Sequence, residues 1–156
     1  MTDLVFGEVS VPYDNKHGTA NTVDVARILE AKYGLFSAFY KRHEADIKAE
    51  LVNSAEGVLE NLHAGAPLGD NPFASSSQRI DALFRKFLET SEIEEMGIDG
   101  VPTQAALKGV SHRFKKKKNN IRKNGKIVAE GVRRPSFIDT GTLELAFRSW
   151  LEGVLA

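Results

Sequence analysis

The sequence predicts a single, mainly α-helical domain with minor β structure, and three observations predict it. Apolar residues recur at three- and four-residue spacing through three stretches: Val23 to Leu29, Leu35 to Leu62, and Ile80 to Met96. Clusters rich in glycine, proline and serine separate these stretches, at Gly34, across 64–77, and from Gly97 to Pro102. Strand-like alternation is confined to a few residues near the start and a few after a lysine-rich run. A length of 156 residues fits one domain, 1–156, with a sizeable core.

Taken in order, Leu4 to Val11 alternate loosely and suit a short edge strand that Pro12 ends. Turn chemistry follows in Asp14-Asn15-Lys16-His17-Gly18, so residues 1–20 read as an extended arm that orders against a partner. Asn21 or Thr22 caps a first helix, and Gly34 stops it. A longer helix runs from Leu35 to His63. Its stripe includes Phe36, Tyr40, Ile47, Leu51, Val58 and Leu62, widened by Leu35, Phe39, Ala55 and Leu59. That spacing suits packing inside the monomer or a seam between subunits. Gly57 weakens its interior.

Ser75 and Gln78 have capping-box spacing at the start of the third helix. Its stripe of Ile80, Leu83, Phe84, Phe87 and Leu88 continues to Met96, and Gly97 and Gly100 end it. Pro102 and Thr103 restart a helix carrying Ala106, Leu107, Val110 and Phe114. Residues 115–134 are then a basic loop or hairpin, with Lys126 to Ala129 as a short strand.

The net charge is zero, but the signs are segregated. Residues 1–107 hold nine basic and seventeen acidic side chains, 108–134 hold eleven and one, and 135–156 hold one and three. Such a chain favours oriented association between complementary surfaces. The basic contact residues are Lys115, Lys116, Lys117, Lys118, Arg122 and Lys123. They suit an acidic protein surface, solvent, or the phosphates of nucleic acid, where affinity would fall with salt. Phe114 is the lone aromatic in this stretch, so base stacking has no support.

No catalytic constellation is legible. The chain has no cysteine, which removes thiol chemistry and cysteine zinc sites. His17, His43, His63 and His112 are scattered without metal-ligand spacing and read as surface or interface residues. Glu92, Glu94, Glu95 and Asp99 read as a solvated face, and no phosphate-cradling glycine loop is present. The expectation is a non-enzyme without cofactor or metal. A secretory leader and a membrane-spanning run are both missing from the pattern, so a soluble protein is expected.

The most motif-like stretch runs from Arg133 to Leu151. Leu143, Phe147, Trp150, Leu151 and Val154 fall at helical spacing, predicting a C-terminal amphipathic helix capped by Asp139, Thr140 or Gly141. Asp-Thr-Gly after apolar residues is also the tripeptide of aspartic proteases, whose two carboxylates share a proton. Those enzymes need a large β body after the tripeptide, and a helical pattern stands here instead.

Val101-Pro102-Thr103, Ala105 to Gly109, His112-Arg113, the basic stretch, and Arg134-Pro135-Ser136-Phe137-Ile138-Asp139-Thr140-Gly141 before Leu143 and Phe147-Arg148-Ser149-Trp150 form one combination. It resembles the tail-completion and virion-morphogenesis proteins of tailed bacteriophages, over about the last third of the chain. The resemblance implies a non-enzymatic virion component of neck, tail or baseplate, made in the host cytoplasm and assembled as a ring with copies of itself and neighbouring virion proteins. It also implies an α+β fold as the alternative to the mainly α one. The contact residues it points to are Pro135, Phe137, Asp139, Thr140, Gly141, Leu143, Phe147 and Trp150. The second reading of the chain is a nucleic-acid-associated packaging or assembly accessory protein acting through residues 108–134.

Overall fold

The computed structural model describes residues 3–13, 21–109, 120–123, 126–129, 132–138 and 141–152, with the backbone alone for 120–123 and 126–129. It is mainly α-helical with minor β structure, as the periodicity predicts. The elements are β1 (Asp3–Glu8), α1 (Thr22–Tyr33), α2 (Leu35–His63), α3 (Ala74–Glu89), a 3₁₀ turn (Glu92–Met96), α4 (Gln104–Leu107), β2 (Asn120–Lys123), β3 (Lys126–Ala129), α5 (Thr142–Ala146) and β4 (Phe147–Glu152).

The ends of α1 follow from local chemistry. The Asn21 side chain accepts the Asp24 amide, filling one of the orphan donors of the first turn. Gly34 then takes the left-handed conformation at φ 61°, and its amide closes onto the Glu30 carbonyl. The next helix starts at once, and the Glu30 carboxylate accepts the Phe36 amide at 2.7 Å. α2 spans 29 residues and bends where His43 leaves helical geometry (φ −112°, ψ 19°).

α3 begins without a side-chain cap. Ser75 and Gln78 therefore form no capping box; the neighbouring Ser76 hydroxyl donates to the Phe73 carbonyl at 2.9 Å instead. The helix also ends earlier than its stripe predicts. Thr90 turns its hydroxyl onto the Lys86 carbonyl, Ser91 adopts φ 61°, and Met96 falls in the 3₁₀ turn beyond. Thr103 caps α4, which stops after one turn at Gly109 (φ 58°). Val110 and Phe114 lie outside the described residues.

The core is aromatic. Phe39, Phe84, Phe87 and Phe147 are fully enclosed, with Leu35, Ile47, Ile80, Leu88 and Ile93 around them. Phe84 and Phe147 stack with centroids 4.0 Å apart, and Phe36 and Phe39 close on both. α2 and α3 supply most of this surface. Beyond Ile47, however, no residue of α2 is fully buried, and Val52, Leu59 and Leu62 are more than half exposed. The long apolar stripe thus divides: its first half is core, and its second half is surface.

The two ends of the chain meet. β1 pairs antiparallel with β4, placing Leu4 opposite Leu151, Val5 opposite Trp150 and Glu8 opposite Phe147. Residues 3–8 are therefore no free arm; they find their partner within the chain, and Pro12 forms a bridge with Asn21. Residues 14–20 lie outside the described residues. A second antiparallel pair, β2 with β3, lies within the basic segment. The intervening Asn124-Gly125 is the dipeptide that two-residue hairpin loops favour.

The predicted C-terminal helix is the main correction. Only Thr142–Ala146 is helical, and from Phe147 the backbone is extended (φ −62°, ψ 136°). The sequence Phe147-Arg148-Ser149-Trp150-Leu151-Glu152 also alternates, and burial follows that period: Phe147 and Ser149 are buried, Arg148 and Trp150 are exposed. An isolated helix of a few turns is marginal in water. Here β1 offers a ladder of backbone hydrogen bonds, and the strand wins. Val154 lies outside the described residues.

Candidate functional site

Of the motif residues, Pro135, Ser136, Phe137 and Ile138 form a tight turn, and a carboxylate from elsewhere holds it. Glu94 sits in the 3₁₀ turn with its side chain only 8% exposed. One of its oxygens, Oε1, accepts the Ser136 amide at 3.1 Å and the Ser136 hydroxyl at 2.7 Å. Its other oxygen, Oε2, pairs with Arg133 at 2.6 Å. Ser136 Oγ in turn accepts the Thr103 amide at 3.1 Å, joining the start of α4 to the same knot. Burial pushes the Glu94 carboxyl up, but the bonds from Ser136 and Arg133 outweigh it and hold the group below the usual carboxylate range. The acidic run is thus not merely a solvated face. Glu94 fastens the motif, while Glu92 lies 3.1 Å from His43 and 3.4 Å from Arg42.

Phe137 adopts φ 69°, a region that bulky side chains avoid, and packs its ring 5.0 Å from Tyr33. Arg134 donates to the Ile138 carbonyl at 2.8 Å, spanning the turn. Asp139 and Thr140 lie outside the described residues. Gly141 follows at φ 74°, the left-handed position that precedes α5. From there the remaining motif residues separate by environment. Leu143 and Phe147 are core, whereas Trp150 is 40% exposed.

Trp150 lies on the outer face of the β1–β4 ribbon, with its ring across Gly7. A Cβ on Gly7 would stand 2.6 Å from the indole Cη2, so only glycine admits the ring there. The inner face is anchored by Asp81 of α3. Its carboxylate accepts the Ser149 amide at 2.8 Å, and the Ser149 hydroxyl lies 2.9 Å from the same oxygen and 3.1 Å from the Ser77 carbonyl. Val9 donates to the Ala146 carbonyl at 2.8 Å, which brings exposed Val9 beside exposed Leu145 at one end of the ribbon. The result is a strand pair fastened to α3 that presents Trp150 outward.

Glu8 also faces inward from this ribbon. Both of its carboxylate oxygens are enclosed without a hydrogen bond. Burial raises its pKa from 4.5 to about 8, with Arg148 pulling the other way. The neutral acid is then the form the fold prefers. Its contribution to stability is fully present below the unfolded value of about 4.5 and is lost as pH rises through about 8. Glu8→Gln is expected to flatten a decline in the urea midpoint between these pH values. An unchanged slope in the variant would show that another group is responsible.

His43 is also a correction. It is buried among Phe39 and Phe87 rather than at the surface, with Nδ1 3.1 Å from Asp46 and Nε2 3.1 Å from Glu92. Only the Asp46 contact, within α2, is a hydrogen bond; Nε2 is buried close to Glu92 of the 3₁₀ turn without one. His63 is exposed, and His17 and His112 lie outside the described residues.

Lys115, Lys116, Lys117 and Lys118 lie outside the described residues. Arg122 and Lys123 fall in β2, paired with Ile127 and Lys126. Among the described residues, no cluster of histidine and carboxylate side chains is arranged to hold a metal ion. No helix there is long and apolar enough to cross a membrane. The knot at Glu94 and the anchor at Asp81 join residues 39 to 68 positions apart, a pairing that leaves no periodic trace in sequence. Set against protein-family models, curated proteins and solved structures, the chain matches none.

Proposed function

We propose that this chain is a non-enzymatic structural component of a tailed-phage particle, joining or completing the tail as one member of a ring-like assembly. Trp150 carries the reading. A large aromatic partly exposed at the surface, over a glycine that admits it, is the kind of anchor that interfaces concentrate on. It stands at the end of the motif whose combination resembles tail-completion and virion-morphogenesis proteins. Val9 and Leu145, exposed near the end of the same ribbon, extend the apolar character of that surface. The segregated charges supply orientation, since the acidic body of one copy complements the basic hairpin segment of the next. A head-to-tail contact of that kind closes into a ring when its rotation permits.

The test is Trp150→Ala, read in two ways. Folding is expected to change modestly, because the ring is already partly in solvent. Incorporation into particles, measured by mass spectrometry of purified virions from a complementation assay, is expected to fall at least about tenfold, the equivalent of one lost contact of about 1.4 kcal/mol. Incorporation equal to wild type would sink the interface role. Particles that keep the protein but lose DNA when Lys115 to Lys118 are neutralised would favour the packaging reading instead.

A further inference from the structure

The outer edge of β1 is left open by the fold. The Val9 amide bonds the Ala146 carbonyl, and the register carries that pairing back through Gly7 with Arg148 and Val5 with Trp150. Bonded pairs alternate with unbonded ones in an antiparallel ladder, so Leu4, Phe6 and Glu8 turn their amides and carbonyls away from β4. Ser149, opposite Phe6, shows the same parity from the other strand, since its amide goes to Asp81 of α3. The outer edge of β4 is thus covered by α3, whereas no strand pairs with the outer edge of β1. The amides of Leu4, Phe6 and Glu8 donate to no acceptor among the described residues. Natural edges are commonly blunted by lysine or proline, and β1 has neither.

We propose that this edge takes the β2–β3 strand pair of a second copy of the chain, which adds to the β1–β4 ribbon by backbone pairing. Charge selects the occupant. Asp3 stands directly opposite Glu152, both are exposed, and neither has a cationic partner among the described residues. Like charges so placed destabilise a strand pair, and a cation brought alongside relieves them. β2 and β3 carry Arg122, Lys123 and Lys126 and no acid. The occupant also needs a host. An isolated two-stranded pair is marginal in water, and among the described residues no other element packs extensively against β2 and β3. The lengths agree as well, since Leu4 to Glu8 and a strand of four residues each span about 14 Å. Main-chain bonds then supply the affinity, as in other cases of strand addition. This contact rests on the head-to-tail association proposed above and names the surfaces that meet in it.

The test follows backbone amide exchange in the full-length protein by NMR, at concentrations from about 10 μM to about 1 mM, where weak contacts form. The Leu4, Phe6 and Glu8 amides are expected to exchange at least about threefold more slowly at the upper end, as when about two-thirds of the edges are occupied. Asp3→Lys is expected to abolish that slowing, and so is the combined variant Arg122→Glu, Lys123→Glu and Lys126→Glu. Mixing the two variants is expected to restore it, because the reversed charges then meet. Should the triple variant lose its strand pair, Asp3→Lys still decides, since Asp3 is exposed and its replacement leaves β2 and β3 untouched. Amides that exchange equally fast at every concentration would overturn the contact, whatever Trp150→Ala does to virion incorporation, so the two readings fail separately. Slowing that persists in either variant would overturn it too, and in the triple variant would point to a second β1 as the occupant.

Discussion

Phe147→Ala is expected to destabilise the chain by about 3–5 kcal/mol, the range for truncating a buried phenylalanine. The ring is fully enclosed and touches four others: Phe84 at 4.0 Å, Phe6 at 5.8 Å, and Phe36 and Phe39 at 5.9 Å each. It also closes the structure, since it is the first residue of β4 and lies opposite Glu8 of β1. A loss of that size is a large fraction of the total stability of a domain this small. Equilibrium urea unfolding measures it directly. A loss below about 1 kcal/mol would place the ring in solvent, as on an exposed helix face, and would refute the strand register. The contrast with Trp150→Ala is informative, because the two residues lie three apart yet differ in burial: Phe147 is enclosed and Trp150 is 40% exposed, so the second mutation is expected to cost folding much less.

Glu94→Ala is expected to cost about 2–3 kcal/mol, because it removes a charged acceptor shared by three donors and strands a buried serine. The bonds it loses are those from the Ser136 amide and hydroxyl and from Arg133. Glu94→Gln retains an acceptor for Ser136 and is expected to cost less. The pH dependence has a definite sign. A carboxyl held below its ordinary 4.5 contributes stability that is fully present above that value and is lost as pH falls through the lower folded value. Wild type is therefore expected to lose stability below about pH 4.5 more steeply than Glu94→Gln does. Parallel acid-unfolding curves for the two proteins would mean that the knot at Ser136 does not hold the motif. This slope is opposite to that from Glu8, so the two carboxyls together place their greatest joint contribution near pH 4.5, where neither loss has begun.

Sequence by itself determined the first three helices and the caps or stops at Asn21, Gly34 and Thr103. Asn21, Gly34 and Thr103 act within a few residues of themselves, and the stripe through Ile80, Phe84, Phe87 and Leu88 repeats at the helical period, so each is legible without knowledge of the rest of the fold. It also made the motif around Pro135 and Gly141 conspicuous, and marked the basic segment as distinct. Tertiary structure alone decided what the end of the chain became. Leu143, Phe147, Trp150 and Leu151 satisfy a helical period, while Phe147 to Glu152 satisfy a period of two, and local preference does not separate the patterns. The deciding partners are β1, some 140 residues away, and Asp81, 68 residues away, which supplies an acceptor for Ser149. The same distance hid the burial of His43, the clasp of Glu94 on Ser136, and the enclosure of Glu8. Helical hydrogen bonds close four residues away and leave a periodic trace, whereas strand pairs and buried polar contacts form between residues whose separation no local pattern records.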